Sequence, residues 1–370
     1  MNASTAQLAP LDVASRLRRL RAHFAGAGID ALLVTKLANV RYLTGFTGSA
    51  GVVLVAGDTA LFVTDGRYTQ RATEELAAAG VDAQVEIGLT GAAQRDLLVG
   101  AIEAGNRLGL EEHSVTWGQQ IEYTSAFAGV ELVPAGAPVE ALRRVKDAGE
   151  VDRIRRACAI ADDAFQTLLP RLAAGLTERA FALELEFAMR ERGASGNSFD
   201  PIIASGPNGS RPHHMPSDRV IEHNELIVCD FGCIVDGYCS DMTRTVSIGD
   251  PGPDARRLFD VVLESQAAGR AAVAVDIACA EVDKASRDVI ASAGWAEAFS
   301  HSTGHGVGLE IHEAPRVAST AGDTLLLNDV VTVEPGVYLP GIGGVRIEDT
   351  LVVGATGSEA LTLTAKELML

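Results

Sequence analysis

Residues 226–247 run Leu-Ile-Val-Cys-Asp-Phe-Gly-Cys-Ile-Val-Asp-Gly-Tyr-Cys-Ser-Asp-Met-Thr-Arg-Thr-Val-Ser, two apolar, β-branched arms on either side of Asp236-Gly237. An Asp-Gly pair between such arms predicts a β-hairpin. A ladder of this composition buries most of its side chains, yet each arm carries a carboxylate, Asp230 and Asp241. An ionised carboxylate in that setting is costly unless a cation or hydrogen-bond donor compensates it.

The same design returns over residues 330–353. An apolar run ends in Glu334, followed two residues later by Gly336, and a Gly341-Ile-Gly-Gly344 turn leads to Glu348, followed two residues later by Thr350. In the first copy the matching residues are Gly232 after Asp230 and Thr243 after Asp241. This is a degenerate internal repeat. Two hairpins that each present two acids toward one place bring four carboxylates together, and these cannot all stay ionised without multivalent cations among them. Between the hairpins lies His301-Ser-Thr-Gly-His305-Gly-Val-Gly-Leu-Glu-Ile-His312. The glycines flanking His305 let its imidazole approach a crowded centre. Four carboxylates and one neutral imidazole balance two divalent ions. Oxygen ligands with one nitrogen suit Mn, Co, Zn or Fe(II) rather than a thiolate zinc site.

Asp230, Asp241, His305, Glu334 and Glu348 match, in type and order, the metal ligands of the pita-bread metallopeptidases, the group containing methionine aminopeptidase, aminopeptidase P and prolidase. The surrounding Gly-Tyr-Cys-Ser-Asp-Met-Thr-Arg, Gly-His-Gly-Val-Gly-Leu-Glu-Ile-His-Glu, Val-Glu-Pro-Gly-Val-Tyr and Gly-Val-Arg-Ile-Glu-Asp-Thr are similar too. Two earlier segments, Asn39-Val-Arg-Tyr-Leu-Thr-Gly-Phe-Thr-Gly-Ser and Thr64-Asp-Gly-Arg-Tyr-Thr-Gln, resemble the N-terminal domain of aminopeptidase P, prolidase and creatinase. Alone they read as two loops with turn chemistry. The resemblance is thus to the Xaa-Pro aminopeptidase and Xaa-Pro dipeptidase (prolidase) branch with a creatinase-like N-terminal domain.

What this resemblance implies is a fold, a reaction and a set of roles. The fold expected is an α/β N-terminal domain plus an α+β pita-bread C-terminal domain. The reaction is hydrolysis of the Xaa-Pro bond at the N-terminus of peptides or in dipeptides, through a hydroxide bridging two divalent ions about 3.5 Å apart. Mn is the first expectation, with Co, Zn or Fe as alternatives. Asp241 and Glu348 would bridge the ions, Asp230 would complete one side, and His305 and Glu334 the other. Glu334 would also shuttle the proton, and His213 and His312 would contact the substrate. For His301, direct contact and an orienting role stay open. Of the adjacent pair in Arg-Pro-His-His-Met-Pro, the family's substrate-side histidine falls on His213 rather than His214. Arg346, two residues before Glu348 on a strand, faces the same side and would hold a ligand carboxylate. Relatives that wall one subunit's cleft with another's N-terminal domain imply a homodimer. The rival readings are a methionine aminopeptidase-like enzyme, creatinase-like chemistry without metals, and a non-catalytic binding protein. The N-terminal domain opposes the first, and the intact ligand set opposes the other two.

The remaining chain fits this frame. A net charge of -18 argues against nucleic-acid or anionic-membrane partners. No window approaches the ~20 apolar residues of a membrane span. The polar start, Met1 to Pro10, lacks a signal-peptide pattern. Five cysteines, an odd number, fit a reducing cytoplasm. Cys229, Cys233 and Cys239 crowd the first hairpin, but their spacing fits no zinc pattern and they read as buried packing. Alternating short strands and helices from Leu11 onward indicate the α/β domain, beginning with an amphipathic helix over 11–27 whose arginines face outward. The Pro/Gly/Ala spacer Pro134 to Pro138 marks a boundary, giving domains 1–137 and 138–370. Lys146, Asp147, Glu150 and Arg153 then read as a solvated helix face, and Tyr238 as a core tyrosine.

Overall fold

The computed structural model describes residues 8–370. The described residues divide into two compact units, Leu11–Arg143, and Arg144–Leu370 together with residues 8–10. The sequence spacer and this division differ by the length of one helix, Pro138–Arg144. Among the described residues no helix is long and apolar enough to cross a membrane.

The first unit is built on strands β1 (Ala31–Val34), β2 (Val52–Ala56), β3 (Ala60–Thr64), β4 (Gln84–Ile87), β5 (Arg107–Leu110) and β6 (Glu131–Pro134). They form one sheet in the order β4-β3-β2-β1-β5-β6, antiparallel at β1-β2 and β2-β3 and parallel elsewhere. Apolar runs such as β1 are buried along their whole length because the sheet is covered by helices. Two local expectations are corrected. The helix over 11–27 is broken into Arg16–Arg21 and Phe24–Ala27, and Arg16 is buried, with its guanidinium 4.0 Å from the Tyr42 ring centre and donating to the Tyr42 carbonyl. Leu37–Thr44, read from local chemistry as a loop, is a helix that buries Asn39, Val40, Tyr42 and Leu43.

The second unit contains both predicted hairpins. Strands β7 (Gly196–Asn197) and β8 (Ile202–Ser205) precede β9 (Leu226–Phe231), β10 (Cys233–Val235), β11 (Tyr238–Cys239) and β12 (Met242–Ser247). Asp236 and Gly237 both take positive φ, 44° and 79°, as a two-residue hairpin turn requires. Beyond β10-β11 the arms kink and pair again as β9-β12, with Asp230 opposite Thr243. A Cβ on Gly232 would sit 1.9 Å from the Ser240 carbonyl oxygen, so only glycine allows this kink.

After β13 (Gly304–Gly306) and β14 (Glu313–Val317), the second hairpin repeats the plan as β15 (Val330–Val333), β16 (Gly336–Leu339), β17 (Gly343–Arg346) and β18 (Asp349–Gly354), with β19 (Gly357–Ala360) at the edge. Glu334 and Glu348 fall at its kink. The two kinks are stitched together reciprocally. Thr243 donates to Glu348 Oε2 at 2.8 Å, and Thr350 donates to the Asp241 carbonyl at 2.8 Å. These are the threonines that follow the second acid of each copy.

Helices close the outer faces in matching pairs. Ala148–Leu168 and Glu178–Glu191 pack Ala157, Phe165, Phe181 and Leu185 against Ile227 and Phe231 of the first hairpin. Pro253–Ala272 and Cys279–Ser292 set Leu258 and Val262 against Val337 and Val345, and Val282 against Val331 and Val333. The charged face expected on the first helix is a correction. Glu150 and Arg153 are buried because that face lies on the first hairpin, and Lys146, just ahead of the helix, is buried beside β14. Lys146 pairs with Glu313 at 3.4 Å, Glu150 accepts from the Tyr238 hydroxyl at 3.1 Å, and Arg153 meets Asp236 at 2.7 Å. Helical periodicity marks a face but not what covers it.

Candidate metal centre

The kinks of the two hairpins open into a cavity of about 650 Å³. Asp230, Asp241, His305, Glu334 and Glu348 all line it, with His213, His301, His312 and Arg346 around them. A larger groove of about 750 Å³ lies in the first unit, but Glu86 and Asp96 are its only charged lining residues.

His305 Nε2 lies 3.3 Å from Glu334 Oε1 and 3.6 Å from Asp241 Oδ2. Ligand atoms of Asp241, His305 and Glu348 all fall within 4.8 Å of one another. The His305 ring is fixed by its other nitrogen, which donates to the Gly306 carbonyl at 3.0 Å, while its backbone N–H donates to Thr332 Oγ1. A protonated Nδ1 leaves Nε2 as the atom aimed at the acids, the arrangement a metal-ligating imidazole adopts. Glycine is required around it. Cβ atoms on Gly304 and Gly306 would stand 2.0 Å from the Thr332 carbonyl oxygen and 2.2 Å from that of Ala314.

Positive charge from the protein compensates only part of this cluster. Arg346 is buried and forms an ion pair with Asp230. It also donates to the Tyr338 hydroxyl at 2.6 Å, to the Pro212 carbonyl at 3.2 Å and to Thr243 Oγ1 at 3.2 Å. Burial, then the neighbouring carboxylates, pushes Asp241 and Glu348 well above the usual carboxylate range. Asp230 is raised by burial and by Glu334, against the pull of Arg346. Burial also acts to raise Glu334, but in the metal-free site His305, its own value raised, despite burial, by these acids, donates to Glu334 and lends it positive charge, which leaves Glu334 below its ordinary value. Asp230 Oδ1 and Glu348 Oε1 are buried without any hydrogen-bond partner among the described residues. Buried acceptors left bare in this way cost stability. Oxygen donors with one imidazole nitrogen, excess negative charge and two orphaned carboxylate oxygens together fit divalent cations.

The thiols do not join the site. All five cysteines are free and buried, and burial pushes the Cys233 and Cys239 thiols up to about 12, which keeps them protonated.

The surrounding histidines are held differently. His301 donates from Nδ1 to the Ser302 carbonyl at 2.8 Å, so its Nε2 accepts from the Tyr338 hydroxyl at 2.9 Å. Both ring nitrogens are thereby engaged by protein groups. Burial lowers the pKa of His301. His312 packs edge-on to His305, ring centres 4.4 Å apart. Burial and the two neighbouring imidazoles, His305 and His213, also lower the pKa of His312. His213 projects, exposed, into the cavity, whereas His214 turns away and bonds Glu178 at 2.9 Å.

Three residues were not anticipated in these roles. Tyr338 links Arg346 to His301, and its only sequence signal is its place in Val-Glu-Pro-Gly-Val-Tyr. Glu178 stands in the first turn of its helix, where an acid has an ordinary explanation in the helix dipole. Arg316 stands opposite His305 in the β13-β14 ladder, lines the cavity and has no ion-pair partner among the described residues. A wall of Phe199, Ile202, Met215 and Ile311 gives the cavity an apolar side.

Comparison with known proteins agrees with this architecture. Residues 152–355 match Metallopeptidase family M24, and residues 16–145 match the Creatinase/Prolidase N-terminal domain. An uncharacterized peptidase of Bacillus subtilis, YqhT, is 42% identical over 96% of this chain and 99% of its own. A structure described as an Xaa-Pro dipeptidase from Bacillus anthracis superposes with a TM-score of 0.91 at 39% identity, covering 97% of this chain and 100% of that one. An X-Pro aminopeptidase structure from Thermotoga maritima gives 0.85 at 36% identity, covering 93% and 98%. The expected pairing of an α/β N-terminal domain with an α+β pita-bread C-terminal domain is the fold these structures share. The chain belongs to metallopeptidase family M24 and carries a creatinase/prolidase N-terminal domain.

Proposed function

We propose that this protein is a metallo-exopeptidase that hydrolyses the Xaa-Pro bond at the N-terminus of peptides or in dipeptides, using two divalent ions held by Asp230, Asp241, His305, Glu334 and Glu348. The observation that carries the reading is the convergence of these five side chains at the paired kinks, with Asp230 Oδ1 and Glu348 Oε1 left bare. Divalent ions bound there supply Lewis acidity and bring the ionisation of water toward neutral pH. Mn is the first choice, with Co, Zn or Fe as alternatives.

The chain's own residues supply the rest. Glu334 faces the cavity beside His305, and its carboxylate would accept a proton from the attacking water. Passing that proton to the departing ring nitrogen completes the transfer, which an Xaa-Pro substrate needs because its leaving group is a secondary amine. His312, kept neutral, has a ring N–H to offer the carbonyl oxygen as charge develops on it, and His213 approaches from the loop side. His301 acts through Tyr338, fixing the hydroxyl that meets Arg346 and so the Asp230 carboxylate. The Xaa-Pro bond has no amide N–H. A cavity with an apolar wall of Phe199, Ile202, Met215 and Ile311 suits the pyrrolidine ring without such a donor. The buried free cysteines and acidic composition are in keeping with a cytoplasmic enzyme, and the likeness to relatives supports a homodimer, which light scattering tests.

A peptide panel tests the reaction. After loading with Mn or Co, Xaa-Pro and Xaa-Pro-Yaa peptides are expected to release their first residue, while Xaa-Ala counterparts are cleaved slowly. Equal cleavage of both sets would refute the proline assignment.

A further inference from the structure

Two histidines stand side by side in the sequence, and the structure treats them in opposite ways. His213 lines the cavity and has no protein hydrogen-bond partner among the described residues. His214 Nε2 lies 2.9 Å from Glu178 Oε2. An ionised carboxylate only accepts, so His214 donates.

Glu178 is fully buried and does far more than hold His214. Its Oε1 accepts from the Ser205 N–H at 2.8 Å, the Ser205 hydroxyl at 2.8 Å and Asn208 Nδ2 at 3.0 Å. Its Oε2 accepts from the Ser217 N–H at 3.0 Å and the Ser217 hydroxyl at 2.6 Å. Ser205 and Asn208 lie at the start and Ser217 at the end of the loop that carries His213, and His214 adds a bond between them. Arg219, which pairs with Glu225 at 2.6 Å, donates to the Ser205 hydroxyl at 2.7 Å and so extends the clamp outward. At the loop's far side, Arg346 donates to the Pro212 carbonyl, one residue before His213. Gly209 also packs against β17, where a Cβ on Gly344 would meet the Gly209 carbonyl oxygen at 1.9 Å. Burial alone would raise the pKa of Glu178, but the donors outweigh it and hold the carboxyl down at about 2. The clamp is therefore ionised and intact throughout the neutral range.

We infer that Glu178 is a positioning residue of the hydrolytic site, whose buried carboxylate gathers the Ser205–Ser217 loop and so holds His213 over the acid cluster, with His214 serving as an anchor of that loop. The inference rests on the proposed peptidase reading for its kinetic consequence only; the ordering of the loop stands apart from it. Glu178 touches none of the five acid and imidazole groups, so its loss leaves metal content intact. Glu178→Gln keeps the shape but replaces an acceptor with a donor that faces donors. The loop then loses charge-assisted bonds that hold it in one arrangement.

The test compares wild type, E178Q, E178D and H214A, each checked for folding and bound metal. Hydrogen–deuterium exchange is read over residues 205–217, and kcat and KM are measured with an Xaa-Pro dipeptide. In E178Q the loop should exchange about tenfold faster, and kcat per metal-loaded chain should fall about tenfold or more while KM moves much less. E178D should recover part of both losses, and H214A should show a smaller change in each. Unchanged loop exchange in folded E178Q overturns the inference. So does a kcat loss that merely follows the fraction of unfolded protein. A kcat loss in H214A of about a hundredfold or more with unaltered exchange would make His214 a reacting group instead. If E178Q does not fold, S217A decides, since it removes one clamp bond and should shift exchange and kcat in the same direction. If wild type cleaves no Xaa-Pro peptide, the functional reading fails, and the exchange comparison still upholds or overturns the clamp.

Discussion

Removing the guanidinium of Arg346 probes how the acid cluster is held. Arg346 is 3% exposed, and Asp230, its ion-pair partner, is 9% exposed. In Arg346→Ala the Asp230 carboxylate loses its protein cation, and the Tyr338 hydroxyl and Pro212 carbonyl lose a donor. Breaking a buried pair by removing one partner costs roughly 3–5 kcal/mol. For a unit of this size, 1 kcal/mol moves the melting temperature by about 2–4 °C, so the drop should be on the order of 10 °C. The assay is thermal or urea unfolding of chelator-treated protein, with D230N and the double variant alongside. Because D230N removes the stranded charge, the double variant should be more stable than R346A alone, with a coupling of about 1–3 kcal/mol. Saturating Mn should shrink the R346A penalty, since bound cations then compensate Asp230. A chelated R346A protein within about 1 kcal/mol of wild type, or strictly additive variants, would refute the reasoning.

Other consequences concern pH and the cavity walls. Asp241, Glu348 and Asp230 have folded pKa values raised by burial and mutual repulsion, so above the unfolded carboxylate range the metal-free native state binds more protons than the unfolded chain. Metal-free stability contributed by these groups is therefore lost as pH rises through that window. Among the acids with lowered values, Glu178, Glu334 and Asp349 add their stability above the unfolded carboxylate range and give no opposing slope at neutral pH, whereas His301 and His312, lowered by burial, add stability as pH rises toward the unfolded histidine value of about 6.5. Above about pH 7, where the histidines no longer contribute a slope, a melting series in chelator up to about pH 8.5 should decline, and Mn, which needs the deprotonated acids, should flatten it; a steady rise over that range without metal contradicts the account. His312→Ala should lower kcat by about 10²–10³-fold with little change in KM, as loss of a donor to the developing oxyanion does. Steady-state kinetics on an Xaa-Pro dipeptide checks this, and a pure KM effect would assign His312 to binding. Arg316→Ala should raise KM for dipeptides with a free carboxylate by about tenfold and leave C-terminally amidated substrates nearly unaffected. Equal effects on both would remove carboxylate recognition from Arg316.

The acid cluster was legible because its chemistry contradicts its setting. Acids at the ends of apolar arms, repeated with the same glycine and threonine offsets, make sense only if the arms meet. Period-two alternation also gave Arg346 its facing, and the Asp236-Gly237 turn has the positive φ angles its residues imply. What the sequence concealed depends on packing between distant segments. Lys146 and Glu150 carry the pattern of a solvated face, yet Lys146, just ahead of the helix, is buried against Glu313, and Glu150 is buried where the helix docks on the first hairpin. Glu178 sits where first-turn acids usually serve the helix dipole, and nothing local distinguishes a carboxylate that turns inward to gather a loop. Tyr338 lies on a strand whose other residues are core, so its hydroxyl partners appear only once β16 and β17 pair. The helix Leu37–Thr44 has weak intrinsic preference and is fixed by Asn39 and Arg143, which bond at 2.7 Å across a long sequence separation.

Metal stoichiometry tests the central claim most directly. Chelated protein is dialysed against Mn and its bound metal counted for wild type, for D241N and for the D241N/E348Q double variant, with unfolding curves to confirm that each is folded. Two ions per chain are expected in wild type, with loss of one or both in the variants and hydrolysis falling with them. No bound metal in wild type, or two ions retained by the folded double variant, would contradict the assignment of the paired kinks as the metal centre.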